Sequence, residues 1–387
     1  MSEINKNKCS VARKCGGCQL SNMDYERQLK YKQACVVKLL RRYCRVNNII
    51  GMDNPYHYRN KVQAVIRKAT NGKIISGVYQ SVSSGIAVTD ECLINDTKAN
   101  EMIKFIRGKI IKLKILPYNP KTQQGYIRHI MIRKGSSTGE YMAVIVAVNE
   151  NIPNLDKLTD SITEKYKEVK TVVLCINKSD KLMLGRNEKI LFGKGYIDDV
   201  LCGRKFRISA KSFYQVNSVQ TQILYSKAME AAQLTGNERV LDAYCGIGTI
   251  GLCAAEKAKT VVGVEINVDA IHDAVANAKR NNVTNIDFIH ADAALFMHEA
   301  SKNCEMYDAV FADPPRAGCS KVFLEALIKL APKKVIYISC NPETLARDMY
   351  FLTKNGYKTE MIQPVDMFPH TKHVETVVLM SRNESGQ

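Results

Sequence analysis

Nowhere in the 387 residues is there a run of about 18 consecutive apolar side chains, which excludes a membrane-spanning helix. Nor does the amino-terminal stretch MSEINKNKCS contain the apolar core of a signal peptide, so the expectation is a cytoplasmic protein. Internal repeats and low-complexity tracts are absent, which leaves ordinary globular domains. Acidic residues are scarce: 38 Asp and Glu face 56 Lys and Arg, a formal charge of +18. Such an excess draws polyanions, and the basic residues gather in RQLKYKQACVVKLLRRYCR, GKIIKLK and YIRHIMIRK. Nucleic acid is therefore the expected partner, and nothing points to an obligate protein partner. A second close pair of metal ligands is also missing. CSVARKCGGC places Cys9, Cys15 and Cys18 together, but no further CxxC or HxxxH follows at zinc-finger or zinc-ribbon spacing. Thirteen cysteines in a reducing compartment point to buried thiols, ligands or nucleophiles rather than disulfides.

What is present divides the chain in two, as its length suggests. Residues 25–44 read as an amphipathic helix with Leu29, Val36, Leu40 and Tyr43 on one face. From about Tyr58 to Arg207 the pattern is β-rich: KVQAVIRK, KIISGVYQ, YIRHIMIRK, EYMAVIVAV and TVVLCIN are short strands, with GSSTGE as a hairpin loop. Helices are expected near 97–112 and 154–167. From about Asn217 onward, apolar strands alternate with helices, the pattern of a doubly wound, mostly parallel sheet. YKTEMIQPVDMF and HVETVVLMSR close the chain with no helix between them, an expected antiparallel edge hairpin. The fold class is α/β, a Rossmann-like domain with a smaller β-rich partner.

In VLDAYCGIGTIG a buried strand turns into a helix through Gly246, Gly248 and Gly251, letting the backbone approach a ligand closely. NAD enzymes share such a turn. Asp242 ahead of the glycines suits the ammonium group of S-adenosylmethionine, and Glu265 at the end of the next strand suits ribose hydroxyls, although NAD enzymes also carry an acid there. FADPPRAG ends the fourth strand and aims Asp313 into the same crevice. Arg316 stands where enzymes that methylate exocyclic amines carry an aromatic ring, which argues against that chemistry. Cys340, in YISCNPETLARD, ends the fifth strand just ahead of a helix whose positive end favours a thiolate. Cys245 and Cys253 read as small buried thiols, and Cys319 is a competitor nearer the site. A thiolate has a use here, because C5 of uracil is too weak a nucleophile to take a methyl group. Addition at C6 makes C5 enolate-like, and a base must afterwards remove the C5 proton. Glu375, opening the last strand in HVETVVLM, is the candidate base, although a lone Glu on an edge strand is ordinarily just solvated.

FYQVN, LDAYCGIG, GVEIN, FADPPRAG, YISCNPETLARD and HVETVVLM together resemble the RNA 5-methyluridine methyltransferases in order and spacing, over essentially the whole chain. The resemblance implies that Gln215, Tyr244, Glu265 and Asp313 contact S-adenosylmethionine, that Cys340 is the nucleophile and that Glu375 is the base. The opening Cys-x5-Cys-x2-Cys, too widely spaced for the CxxxCxxC of radical enzymes, is similar to that of the branch acting on 23S ribosomal RNA. There Cys9, Cys15, Cys18 and a distant cysteine, matched by Cys92, would hold a [4Fe–4S] cluster. That branch's longer members carry a β-barrel RNA-binding module ahead of these cysteines, and none is expected here before Cys9. The same resemblance implies an iron–sulfur motif at 1–20 packing with a β-rich, RNA-contacting domain at 54–208, and a helical segment at 21–53 packing with a methyltransferase domain at 209–387. A tRNA 5-methyluridine enzyme and a non-catalytic iron–sulfur RNA-binding protein remain the alternatives.

Overall fold

The structure, a computed structural model, describes residues 9–83, 85–179 and 183–382. Parts of the expected 1–20 and 209–387 segments, residues 1–8 and 383–387, lie outside it. A short helix α1 (Ala12–Cys15) ends at Gly16, whose φ of 67° is a left-handed turn suited to glycine. Helix α2 (Tyr25–Leu40) starts at Asp24, whose side chain caps Arg27 N. There follow β1 (Lys61–Lys68), β2 (Ile74–Tyr79), β3 (Ile86–Val88), α3 (Thr97–Lys112), β4 (Ile127–Lys134), β5 (Tyr141–Ala147), α4 (Leu155–Lys165), β6 (Val169–Ile176) and β7 (Asn187–Gly193). These strands make one sheet in the order β3-β2-β1-β4-β5-β6-β7. All neighbours are antiparallel except β5 and β6, which α4 connects as a crossover.

Alternation along the strands decides which side of this sheet is covered. Val62, Ala64, Ile66, Ile130 and Ile132 form a core with Met102, Ile106 and Ile110 of α3 and Leu158 and Ile162 of α4. On the opposite face, Met131, Met142, Val144 and Val173 pack against a hairpin, β8 (Tyr196–Leu201) and β9 (Arg204–Ser209). Strand β7 and this hairpin were not among the expected strands. Most β7 side chains are exposed, so no apolar alternation marks it.

The remainder alternates as expected: α5 (Ser218–Ala232), β10 (Arg239–Asp242), α6 (Thr249–Ala254), β11 (Thr260–Glu265), α7 (Val268–Arg280), β12 (Ile286–His290), α8 (Ala293–Lys302), β13 (Ala309–Ala312), α9 (Lys321–Leu330), β14 (Lys334–Ser339), α10 (Pro342–Lys354), β15 (Tyr357–Val365) and β16 (Glu375–Arg382). The sheet order is β12-β11-β10-β13-β14-β16-β15. Connections run one way from β10 to β11 and the other way to β13, which opens a crevice at the strands' carboxyl ends. The closing hairpin differs from the expected edge pair. β16 inserts between β14 and β15, antiparallel to both, so only β15 is at the edge. Even that edge is partly covered, because Asn47 N and Ile50 N donate to the carbonyls of Ile362 and Pro364 at 2.9 and 3.0 Å. Helix α2 lies against α10 and β15. It is anchored by Lys32, whose Nζ is 2.5 Å from Asp366 Oδ1 with both side chains fully buried.

Candidate active site

A cavity of about 620 Å³ lies in the crevice, and Gln215, Tyr244, Glu265, Asp313, Cys340 and Glu375 all line it. Sheet register brings the last two together. The pairing Ser339↔Thr376 between β14 and β16, continued by one residue, sets Cys340 opposite Glu375. Asp313 leaves the neighbouring β13 at the same end, where Ala312 pairs with Tyr337. On the other side of β10, Gly248 opens α6 at φ 84°, and a Cβ there would meet the Phe288 ring at 2.9 Å. Glu265 is held by two backbone N–H groups, from Gly246 at 3.1 Å and Asn267 at 2.8 Å.

Asp242 departs from expectation. It is fully buried and absent from the cavity lining, and its Oδ2 accepts from Gly251 N at 2.7 Å. It secures the glycine turn, and the acidic side chains that face the cavity are Glu265, Asp292, Asp313 and Glu375. Their surroundings are poor in positive charge, since Arg316 is the single Lys or Arg among the described lining residues.

Burial sets the protonation of the groups at this wall. Asp313 is pushed up to about 7 by desolvation. Glu375, 4% exposed, is pushed up to about 8 by desolvation, with Asp313 adding and Arg316 opposing. Cys340 is raised to about 11 by burial and then by Glu375 and Asp313, against Arg316. The expected thiolate is therefore not the resting form in the free site. The start of α10 is already occupied by its own cap, Asn341 Oδ1 accepting from Glu343 N at 3.1 Å, and the carboxyl groups of Glu375 and Asp313 oppose a thiolate more than Arg316 favours it. Cys319, the competitor, is buried outside the cavity, its thiol pushed up to about 12 by desolvation. Cys245 lines the wall but is nearly buried, and Cys253 lies elsewhere.

Cys340 and Arg316 also border a second cavity of about 300 Å³, with Asn341, Lys372 and His373. Arg316 Nη2 is 3.0 Å from His373 Nδ1, and burial followed by that guanidinium lowers the imidazole's proton affinity. The Cys340 sulfur thus borders two cavities, the first lined by four acidic side chains and the second by Arg316, Lys372 and Glu343. Sequence reasoning missed Phe213, 67% exposed at the mouth of the first cavity, and His373 in the second. The available signals were their places in FYQVN and HVE, two residues before Gln215 and Glu375.

The cysteines expected as metal ligands also converge. Cys9, Cys15, Cys18 and Cys92 line one cavity of about 350 Å³ between the amino-terminal segment and the β1–β2 end of the first sheet. The Cys18 thiol is pushed up to about 12 by burial and then by Cys92, Cys15 and Cys9. Among the described residues no three His, Cys, Asp or Glu side chains close on a point as one ion requires.

A family model described as tRNA (Uracil-5-)-methyltransferase matches residues 24–383. Relatives described as uncharacterized RNA methyltransferases, from Clostridium tetani and Bacillus cereus, are each 43% identical, over 96% and 97% of this chain and 82% and 83% of theirs. The crystal structure of Pyrococcus abyssi tRNA (uracil-54, C5)-methyltransferase in complex with S-adenosyl-L-homocysteine superposes with a TM-score of 0.78 at 29% identity, covering 95% of this chain and 86% of that one. The match runs through both sheets and through every strand end that lines the cavity, and on it the chain belongs to the RNA 5-methyluridine methyltransferase family.

Proposed function

We propose that the protein methylates C5 of a uridine in 23S ribosomal RNA, with S-adenosylmethionine as donor, Cys340 as nucleophile and Glu375 as base. The observation that carries this reading is the register-matched pair Cys340 and Glu375 at the wall of the acidic cavity. Cationic S-adenosylmethionine fits that cavity, whereas a pyrophosphate would meet Glu265, Asp292 and Asp313. Gln215, Tyr244, Glu265 and Asp313 would hold it, and when bound it supplies an electrophilic methyl group. The Cys340 thiol gives its proton to water as Sγ bonds to C6 of a uracil turned out of its stack, and the C5=C6 electron pair moves onto C5, which becomes nucleophilic. Phe213 offers an aromatic face at the mouth for that base. After C5 is methylated, Glu375 takes its proton, the double bond re-forms and the thiolate leaves. Positive charge added to the cavity lowers the affinity of Asp313 and Glu375 for protons, which prepares Glu375 as a carboxylate.

Cys9, Cys15, Cys18 and Cys92, which line one cavity, would be the four thiolate ligands of a [4Fe–4S] cluster. Such a cluster supports the ribosomal target, with residues 54–208 as the RNA-contacting domain and 209–387 as the catalytic one. The family description and the Pyrococcus relative favour tRNA as the second reading. Mapping 5-methyluridine in RNA from a deletion strain separates them: loss from 23S RNA is expected, and loss confined to tRNA overturns the ribosomal assignment. For the mechanism, Glu375→Gln should trap a protein–RNA band on a denaturing gel, and adding Cys340→Ala should remove it. No band with Glu375→Gln, despite bound RNA and cofactor, sinks the role of Glu375.

A further inference from the structure

We infer that Cys202 and Cys253 form a redox modification site, a dithiol that a hydroperoxide closes to a disulfide, tying the β8–β9 turn to helix α6 behind the donor cavity. The disulfide stands on the geometry of the pair, and its effect on the cavity rests on that cavity holding S-adenosylmethionine.

Neither cysteine lines the cavity of Cys340 or that of the amino-terminal cysteines. The register Leu201↔Arg204 makes Cys202 and Gly203 a two-residue turn, with φ of 50° and 73°. Such a turn needs two left-handed residues and ordinarily takes Asn-Gly, so Cys202 is held against its backbone preference. Cys253 belongs to α6, which follows the glycine turn of the other sheet. Both side chains line one cavity of about 290 Å³, and they meet there thiol to thiol, Cys253 donating to Cys202. Their backbones are pinned close by. Arg204 Nη2 reaches Glu256 Oε2 at 3.1 Å, two residues beyond Cys202 and three beyond Cys253. Asn281 of the α7 cap grips Lys205 through both its N–H and its carbonyl, at 2.8 and 2.7 Å. The sulfurs therefore face each other across segments that the rest of the fold already holds together.

The two thiols are also unlike. Both are half-buried, whereas Cys175, Cys245 and Cys319 are buried. The bond from Cys253 lowers the proton affinity of Cys202 against the effect of burial, and the same bond, then desolvation, raises that of Cys253. That is the division between an attacking thiolate and a resolving thiol. The Cys202 thiolate attacks one oxygen of hydrogen peroxide, the O–O bond breaks, and hydroxide leaves and takes up a proton as water. Cys202 is then a sulfenic acid. Cys253 sulfur attacks the Cys202 sulfur, the S–O bond breaks, and the departing hydroxide takes the Cys253 proton as a second water. Two electrons pass from the pair to the peroxide, and an external dithiol returns them by exchange.

The donor cavity shares its wall with this pair. Leu201, next to Cys202, lines it, as do Thr249 and Ile250 one turn before Cys253. Tyr225 lines both cavities, and its hydroxyl is 3.2 Å from Thr249 Oγ1. A covalent bond holds sulfurs closer than a hydrogen bond does, so closing it draws the turn onto α6. Close packing passes that shift to Leu201, Thr249 and Ile250, out of the arrangement that accepts the donor.

The test uses the full chain, reduced, desalted and then titrated with hydrogen peroxide. After alkylation of the remaining thiols, mass spectrometry of a non-reduced digest should find Cys202 joined to Cys253, and dithiothreitol should abolish the link. In Cys253→Ser, dimedone should label Cys202, while Cys253 in Cys202→Ser should stay unlabelled. Calorimetry should show S-adenosylmethionine binding about tenfold more weakly to the oxidised parent, restored by dithiothreitol and unaltered by peroxide in Cys202→Ser. The amino-terminal cysteines are the same in parent and variant, so the difference between them reads this pair alone. Absence of the Cys202–Cys253 link overturns the site. An equal loss of affinity in Cys202→Ser overturns its coupling to the donor cavity. Failure of the reduced parent to bind S-adenosylmethionine would instead count against the donor reading, with the thiol mapping still decisive for the disulfide.

Discussion

Replacing Glu375 by Gln should stabilise the free protein, and the gain should grow with pH. The side chain is 4% exposed, and desolvation, with Asp313 adding and Arg316 opposing, lifts its carboxyl from 4.5 to about 8. In the unfolded chain the same group ionises near its ordinary value. Below that value both states hold the proton and Glu375 costs nothing. Between there and about pH 8 the unfolded state has lost a proton that the folded state keeps, so stability falls by about 1.4 kcal/mol per pH unit. Across the whole window the loss reaches at most about 5 kcal/mol, and above about pH 8 it is constant. Gln keeps the shape and removes the titration. Urea unfolding followed by circular dichroism, without cofactor, should give nearly equal midpoints for parent and Glu375→Gln at about pH 4.5, with the variant several kcal/mol more stable at about pH 8. A difference that stays flat with pH, or one that favours the parent at high pH, refutes the reasoning. A catalytic carboxyl held neutral by burial would then be the wrong account of this site.

Glu265→Ala should weaken S-adenosylmethionine binding by about 1–3 kcal/mol in calorimetry, because buried hydrogen bonds are lost and the Gly246 turn loses an anchor. Cys92→Ser in anaerobically purified protein should lose iron and brown colour as fully as Cys15→Ser, while Cys35→Ser, away from that cavity, should keep both. Full iron in Cys92→Ser would remove Cys92 from the ligand set. Lys32→Met should cost about 3–5 kcal/mol in denaturant unfolding, since it leaves the Asp366 carboxylate buried without its cation. The variant Lys32→Met/Asp366→Leu should recover most of that loss, and no recovery would mean that packing rather than charge is what fails.

Much of the framework was legible along the chain because it depends on neighbours in sequence. Apolar alternation located β1 to its end residues, and turn chemistry marked the GSSTGE hairpin between β4 and β5. Alternating apolar strands and helices announced the second sheet, and the glycine turn after β10 announced its crevice. Strand β7 and the β8–β9 hairpin were not legible. Exposed side chains on the first and a half-covered pattern on the second give no clear period.

The candidate site residues were likewise written in the sequence: a cysteine and an acidic residue at strand ends, acids around a glycine turn, and three cysteines near the start. Their relation to one another was not. Cys340 and Glu375 are set opposite each other by the pairing of β16 with β14 rather than at the sheet edge, and that insertion is also what buries Glu375. The same burial holds Cys340 as a thiol, which a helix end read from sequence could not reveal. Asp242 turned inward to its own turn, and Cys92 met Cys9, Cys15 and Cys18 across a cavity. Local sequence sets backbone period and chemical identity because these depend on a few adjacent residues. Protonation and proximity depend on desolvation and on strand register between distant segments, and only the tertiary structure decides those.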